Sequence, residues 1–143
     1  MDINVEILNI MKEESLIAFR NDEIPVSCVI VDQEGNLVSK GINNRQSSRN
    51  VLGHAEINAI VAAEKQIGDW RLDGYSMIVS LEPCDMCNAV IKESRIDKVY
   101  YLLPKKSQDI NKENSINKEE LIGYDEEKSY FLELLTTFFD NKR

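Results

Sequence analysis

The chain has 143 residues, 43% of them hydrophobic and 29% charged, a length and balance typical of a single globular domain over residues 1–143. No apolar run reaches the roughly 20 residues that a membrane-spanning helix needs, and the N-terminus lacks the basic flank of a secretion signal, so we expect a cytoplasmic protein with no membrane partner. The net charge of −8 argues against a nucleic-acid partner unless a local cluster of Lys and Arg binds the phosphates.

The first half of the chain predicts a helix, a hairpin and a second helix. Apolar residues at helical spacing predict an amphipathic helix over residues 2–20. β-branched runs at 26–32 and 37–43, separated by the turn residues "QEGN", predict two paired strands. The polar stretch "NRQSSRNVLG" is expected to be a loop, and a second helix should run from about His54 to Ile67, with Gly68 near its end.

The second half continues the alternation of strands and helices. It predicts a strand at 75–81, a helix at 83–95 with Pro83 in its first position, a strand at 97–103, a loop or frayed helix at 104–120, a short edge strand at 121–124 and a closing helix at 126–140. Strands that alternate with helices indicate an α/β fold, with a mixed central sheet whose parallel strands are covered on both faces.

The three cysteines of the chain divide into a pair and a single residue. Cys84 and Cys87 are separated by two residues, a spacing that in a reducing compartment favours metal binding or redox chemistry over a structural disulfide. Cys28 lies within a predicted strand, where it is expected to pack as a small apolar residue.

The only histidine, His54, precedes Glu56 at the start of the second predicted helix. Side chains of a helix lean toward its N-terminus, so residues of a first turn can converge on a point beyond the helix end. Cys84 and Cys87 begin the next helix, where the local dipole favours thiolates. One imidazole and two thiolates suit tetrahedral zinc with a fourth position open for water, which indicates catalysis, and Glu56 could then act as general acid and base.

Each motif alone has an ordinary explanation. A lone histidine is usually a surface or core residue, and Cys-x-x-Cys also occurs in redox proteins and closed structural zinc sites. A redox role leaves His54 and Glu56 unexplained, and a closed site would need a carboxylate as its fourth ligand. The combination of both motifs at two helix starts therefore favours one catalytic zinc ion per chain.

His-x-Glu followed by Pro-Cys-x-x-Cys is the signature of zinc-dependent nucleobase deaminases. The segments "EIPVSCVIVD", "GINNR", "HAEINAI" and "SLEPCDMCNAVIKESRIDKVYY" resemble, in the same order, the bacterial tRNA-specific adenosine deaminases, and "FLELLTTFFDNKR" is similar to their last helix. The resemblance implies a three-layer α/β/α cytidine-deaminase-like fold, a homodimer, and zinc held by His54, Cys84 and Cys87.

The resemblance also implies a reaction and a substrate. Zinc hydroxide would attack C6 of adenine in the wobble position of a tRNA anticodon loop, Glu56 would shuttle protons, and adenosine would become inosine with release of ammonia. Asn43 matches the asparagine that hydrogen-bonds the base, Val26 matches a pocket wall and Ala55 offers a backbone contact. Without the resemblance, Asn43 reads as a turn residue and Val26 as sheet core.

Two departures from the family pattern keep a second function open. The segment "LLPKKSQDINKEN" replaces an Arg-Asp-x-Lys-x-Gly-like stretch of the family, and the chain is acidic. A basic rim could still come from a set of dispersed cations: Arg45, Arg49, Lys105, Lys106, Lys142 and Arg143. An acidic surface fits a deaminase of a free nucleobase, nucleoside or nucleotide, of guanine, cytosine or dCMP type, better than one that acts on RNA. A non-catalytic partner subunit is a third hypothesis, against which Glu56 argues.

Overall fold

The computed structural model describes residues 2–107, 109 and 115–142, which form a sheet and flanking helices. In chain order the elements are α1 (Val5–Arg20), β1 (Ser27–Val31), β2 (Leu37–Ile42), α2 (Arg45–Ser48), α3 (Ala55–Ile67), β3 (Ser76–Leu81), α4 (Asp85–Ser94), β4 (Lys98–Leu103), β5 (Lys118–Glu120) and α5 (Asp125–Asp140). None of the described helices is long and apolar enough to cross a bilayer.

The sheet has five strands in the order β2-β1-β3-β4-β5. Strand β1 is antiparallel to both β2 and β3, whereas β4 is parallel to both β3 and β5. All five residues of β1 are buried, as expected of a strand covered on both faces. The mixed sheet predicted from the sequence is confirmed.

Alternate residues of β1 face different helices. Ser27 Oγ donates to Met11 O of α1 (2.8 Å), whereas Cys28 pairs across the ladder with Gly41, which lies against α3. Helices α1 and α3 therefore cover opposite faces of the sheet. Because α5 packs on α1 and α4 packs on α3, the three-layer α/β/α arrangement is confirmed.

The predicted elements agree with the structure except at three places. The expected loop after β2 contains a four-residue helix, α2. Pro83 is not the first residue of α4, because Cys84 is the N-cap residue and the helix begins at Asp85. The prediction of an edge strand at 121–124 is also wrong.

The fifth strand lies instead at Lys118–Glu120, inside the stretch expected to be a loop or frayed helix, some of which lies outside the described residues. Leu121 N still donates to Tyr101 O (2.8 Å), but Gly123 has φ +93° and turns the chain away. Charged residues are typical of an exposed sheet edge, so hydrophobicity did not mark this strand.

Gly41 allows β2 to approach α3 more closely than any other residue would. A Cβ atom at this position would lie 2.4 Å from Ala55 O and 2.5 Å from Ala59 N, both backbone atoms of α3. Ser39, two residues earlier on the same face of β2, donates from Oγ to Ala59 O (2.8 Å). The first turns of α3 are thus fixed against the sheet by backbone contact.

We predict that Gly41→Ala lowers the free energy of unfolding by about 3 kcal/mol, because the helix must shift to admit the methyl group. Gly35→Ala is the matched control: Gly35 has φ +84° but an added Cβ meets nothing within 4 Å, so only the left-handed backbone is penalised, by about 1 kcal/mol. Urea unfolding of both variants measures the difference. Equal losses would show that α3 is not fixed through Gly41.

Candidate active site

The two helix starts that carry the sequence motifs lie side by side. His54 is the N-cap residue of α3 and Cys84 is the N-cap residue of α4, and neither side chain caps its helix. Ser, Thr, Asp and Asn are the usual residues here, because their side chains accept from the free amides of the first turn. The chain therefore forgoes two capping interactions, which leaves the imidazole and the thiol available for other chemistry.

Asn58 fastens the first turn of α3 to the end of β2. Its Nδ2 donates to Ile42 O (2.8 Å) and to Asn44 Oδ1 (2.9 Å). Together with the contact at Gly41, these bonds hold His54 at a fixed place beside the sheet. Cys84 is placed by β3, which ends at Leu81, three residues earlier.

His54, Cys84 and Cys87 bring three ligand atoms together. His54 Nδ1 lies 3.5 Å from Cys87 Sγ and 3.8 Å from Cys84 Sγ, and all three ligand atoms lie within 4.8 Å of one another. In tetrahedral zinc sites, bonds of about 2.3 Å to sulfur and about 2.0 Å to nitrogen place N and S about 3.5 Å apart. The spacing of these atoms, and their chemical type, therefore fit one zinc ion.

The two thiols of this cluster differ in acidity because they share a hydrogen bond. The Cys87 thiol donates to Cys84, which lowers the pKa of Cys84 to about 5 against the opposing effect of burial. The same bond raises the pKa of Cys87, and burial adds to that effect. A divalent cation would replace the shared proton, since zinc binds thiolates.

Glu56 is a buried carboxyl group next to this cluster, only 5% exposed. Burial raises the pKa of Glu56 to about 7, and the negative charge of Cys84 adds to the rise. A cation at the cluster would favour the carboxylate form instead. A carboxylate held beside the cluster is placed to accept a proton and return it, the role predicted for Glu56.

Cys28 is fully buried under the same site, and burial raises the pKa of its thiol well above the usual value. It is not part of the three-residue ligand cluster found among the described residues. The structure is thus consistent with the prediction that Cys28 packs as a small apolar residue.

A cavity of about 130 Å³ is lined in part by Glu56. Every predicted site residue except the fully buried Cys87 lines this cavity: Val26, Asn43, His54, Ala55, Glu56 and Cys84. Three further lining residues were not predicted from the sequence: Ile24, Leu81 and Glu82. Ile24 lies two positions before Val26, and Leu81 and Glu82 immediately precede Pro83. Only their proximity in sequence to the motif residues could have indicated that these three residues line the cavity.

Asn43 and Val26 are joined at the wall of this cavity. Asn43 N donates to Val26 O (3.3 Å), and Asn43 Oδ1 accepts from Arg45 N (3.2 Å). Asn43 is only 7% exposed. Its amide is thus held in place by neighbouring backbone at the edge of a space of the size of a small heterocycle.

Two larger grooves, which we call the α2 groove and the β4 groove, border the cavity. The α2 groove, about 490 Å³, is lined by Asp22, Glu23, Ile24, Asn43, Arg45, Gln46, Phe138, Phe139 and Lys142. The β4 groove, about 580 Å³, is lined by Leu81, Leu103, Pro104, Lys105, Lys106, Leu132, Leu135, Thr136, Phe139 and Asp140. Phe139, 48% exposed, lies between them.

Two of the five described residues of the basic rim that the sequence suggested are neutralised by ion pairs. Lys142 pairs with Asp22, and Lys105 pairs with Asp109. Arg143 lies outside the described residues. Of the cations that line the two grooves in the described part of the chain, Arg45 and Lys106 remain without an ion pair.

Comparison with known proteins gives one family and several relatives. Residues 2–103 match the family model described as the cytidine and deoxycytidylate deaminase zinc-binding region. A tRNA-specific adenosine deaminase of Rickettsia bellii is 43% identical over 90 residues, which are 62% of this chain and 62% of that protein. The chain thus spans less than two thirds of the length of this relative.

Two solved structures are similar to the fold. One, from a study of A-to-I editing by tRNA:A34 deaminases at the wobble position of transfer RNA, has a TM-score of 0.81 at 25% identity and covers 92% of this chain and 100% of its own. The other, a guanine deaminase of Bacillus subtilis, has a TM-score of 0.64 at 31% identity and covers 71% of this chain and 66% of its own. The cytidine-deaminase-like fold is confirmed.

We predict that the purified protein binds one zinc ion per chain and that Cys87→Ser weakens binding by more than about 100-fold, because a thiolate ligand is lost. Cys28→Ala is the matched control, since it removes a buried thiol outside the cluster. Zinc content by mass spectrometry and competition with a chelator measure both. Equal loss of zinc from the two variants, each shown to be folded, would contradict the ligand assignment.

Proposed function

The chain belongs to the cytidine and deoxycytidylate deaminase zinc-binding family, and from this premise we propose that it hydrolyses adenosine to inosine at the wobble position of tRNA, with release of ammonia. The observation that carries the proposal is the placement of Glu56 at a base-sized cavity, beside a three-ligand cluster that fits zinc. The Rickettsia relative and the tRNA:A34 deaminase structure support adenosine in tRNA as the substrate.

His54, Cys84 and Cys87 would hold the zinc ion, one per chain. Zinc, when bound, lowers the pKa of water to about 7 and so supplies hydroxide at neutral pH. Glu56 would carry both protons of the attacking water in turn, the first to a ring nitrogen of adenine and the second to the departing amine at C6, which leaves as ammonia. Because Glu56 is 5% exposed, bulk water competes little for that proton.

The cavity residues would bind the target base. Asn43 would hydrogen-bond an edge of the base, Val26 would form the wall against its face, and Ala55 would contribute a backbone contact. A base in an anticodon loop is poorly stacked, so moving it into the cavity costs little. The adjacent grooves, with exposed Phe139 between them, offer room for the flanking nucleotides.

We further infer one zinc-dependent deaminase domain over residues 1–143, because one buried apolar cluster includes residues from Ile3 to Leu135. A homodimer is supported by exposed apolar residues near α3: Val51 and Leu52, 66% and 47% exposed, and Val61, 42% exposed. Sedimentation at micromolar concentration tests this assembly. A cytoplasmic location follows from the proposed tRNA substrate.

A deaminase of a free base, nucleoside or nucleotide is the second candidate. It is favoured by the ion pairs that occupy Lys105 and Lys142 and by the structural likeness to a guanine deaminase. A small substrate needs no phosphate contacts, so the net charge of −8 would not oppose its binding. A non-catalytic subunit remains disfavoured, because a scaffold has no use for the buried carboxyl group of Glu56.

We predict that incubation with unmodified tRNA carrying a wobble adenosine yields inosine at that position, whereas free guanine, cytosine, adenosine and dCMP release no ammonia. Binding should weaken with salt at a shallow slope of about −1 to −2 in log K against log salt, since two of the four groove cations, Arg45 and Lys106, are unpaired. Mass spectrometry of tRNA digests and a salt titration measure these outcomes. Ammonia from a small substrate, without inosine in tRNA, would favour the second candidate.

We predict that Glu56→Gln lowers kcat by about 10²- to 10⁴-fold, because the amide cannot carry the proton, while zinc content stays at one per chain. Glu64→Gln, a change on the same helix outside the cavity, serves as the control and should keep wild-type turnover. Single-turnover kinetics and metal analysis check both variants. Undiminished turnover of the Glu56 variant would refute its role as proton carrier.

A further inference from the structure

Glu23 is a buried carboxylate that caps a helix distant in sequence. It is 2% exposed, and its two oxygens accept from Gln46 N (3.0 Å) and Ser47 N (2.7 Å). These amides belong to the first turn of α2, whose own N-cap residue, Asn44, makes no side-chain capping bond. Glu23 thus supplies from another segment the cap that α2 lacks.

The carboxylate of Glu23 depends on these two amides. Burying a charged group is costly unless hydrogen bonds compensate for lost water. Within the described part of the chain, no Lys or Arg forms an ion pair with Glu23. Hydrogen bonds to a charged acceptor are stronger than those between neutral groups. The two amides therefore stabilise the buried carboxylate of Glu23, and the carboxylate stabilises the position of α2.

Both ends of this contact border the base-sized cavity. On the side of Glu23, the chain continues directly into Ile24 and Val26, which line the cavity. On the side of α2, Arg45 immediately precedes Gln46, and Asn43, which lines the cavity, lies three positions before it. Since Asn43 also bonds to Val26 O and to Arg45 N, the hydrogen bonds of Glu23 close a ring around one side of the cavity mouth.

We propose that Glu23 is a positioning residue that fastens the segment 43–48 to the segment 24–26 and thereby sets the place of Asn43 at the cavity. The proposal rests on the proposed function in assuming that Asn43 contacts the substrate. Glu23 acts through backbone amides, at a distance from the ligand cluster. It should therefore affect substrate affinity and leave both zinc binding and proton transfer unchanged.

Asp32 provides a matched control, because its carboxylate also accepts hydrogen bonds from two backbone amides but lies in another part of the fold. Asp32 Oδ1 accepts from Glu34 N (2.9 Å) and from Asn36 N (2.9 Å) in the turn between β1 and β2. None of the residues that line the cavity belongs to this turn. Asp32→Asn therefore removes an equivalent charge from a loop contact without altering the cavity.

Glu23→Gln should raise KM at least about 5-fold while kcat stays within about 2-fold of wild type and zinc content is unchanged. Hydrogen exchange of the Gln46 and Ser47 amides should accelerate at least about 10-fold, because one acceptor oxygen is lost. Glu23→Asp, which keeps the charge but has a shorter reach, should give an intermediate KM and serves as the readout if the Gln variant does not fold. Asp32→Asn should lower stability and leave KM at the wild-type value.

Wild-type KM in the folded Glu23 variants, with stability losses like that of Asp32→Asn, would overturn the proposal and leave Glu23 a purely structural cap. Unchanged exchange at Gln46 and Ser47 would overturn it as well. If the wild-type protein forms no inosine in tRNA, the substrate proposal fails; KM is then measured with the small substrate that releases ammonia. The exchange comparison needs no substrate and tests Glu23 in either case.

Discussion

The close approach of two helix N-termini is the constraint on which the rest of the site depends. His54 and Cys84 each occupy an N-cap position without capping the helix. The close contact of α3 with β2 at Gly41 and the hydrogen bond of Asn58 to β2 help to place the imidazole beside the two thiols of α4. The sheet thus serves as the rigid base that holds three ligand atoms and one carboxyl group in a fixed arrangement.

Several features of this arrangement are unfavourable for folding. Two helices lack side-chain caps, the Cys87 thiol donates a hydrogen bond to Cys84, and burial raises the pKa of Glu56 to about 7. A cation at the cluster would relieve the last two, because it takes the place of the Cys87 thiol proton and stabilises the Glu56 carboxylate. Zinc binding should therefore contribute to the stability of the fold as well as to catalysis.

The sequence predicted the fold class, and it singled out side chains that the structure brings to one place. His54, Glu56, Cys84 and Cys87 were identified because their chemistry and spacing carry information independent of the fold, and the long amphipathic helices followed from hydrophobic spacing. The charged edge strand β5 was missed, because its pairing depends on the free edge of β4 and not on its own composition. Glu23 was missed because its partners lie more than twenty positions away, a relation that no local pattern reveals.

We expect the two helix starts to hold one zinc ion through a single nitrogen and two sulfur ligands and to leave one position for oxygen. X-ray absorption spectroscopy at the zinc edge, on protein purified without chelators, measures this coordination directly. We expect two sulfur atoms at about 2.3 Å from zinc and two lighter atoms, nitrogen and oxygen, at about 2.0 Å. Four protein ligands without an exchangeable oxygen, or protein that folds and turns over substrate without zinc, would contradict it.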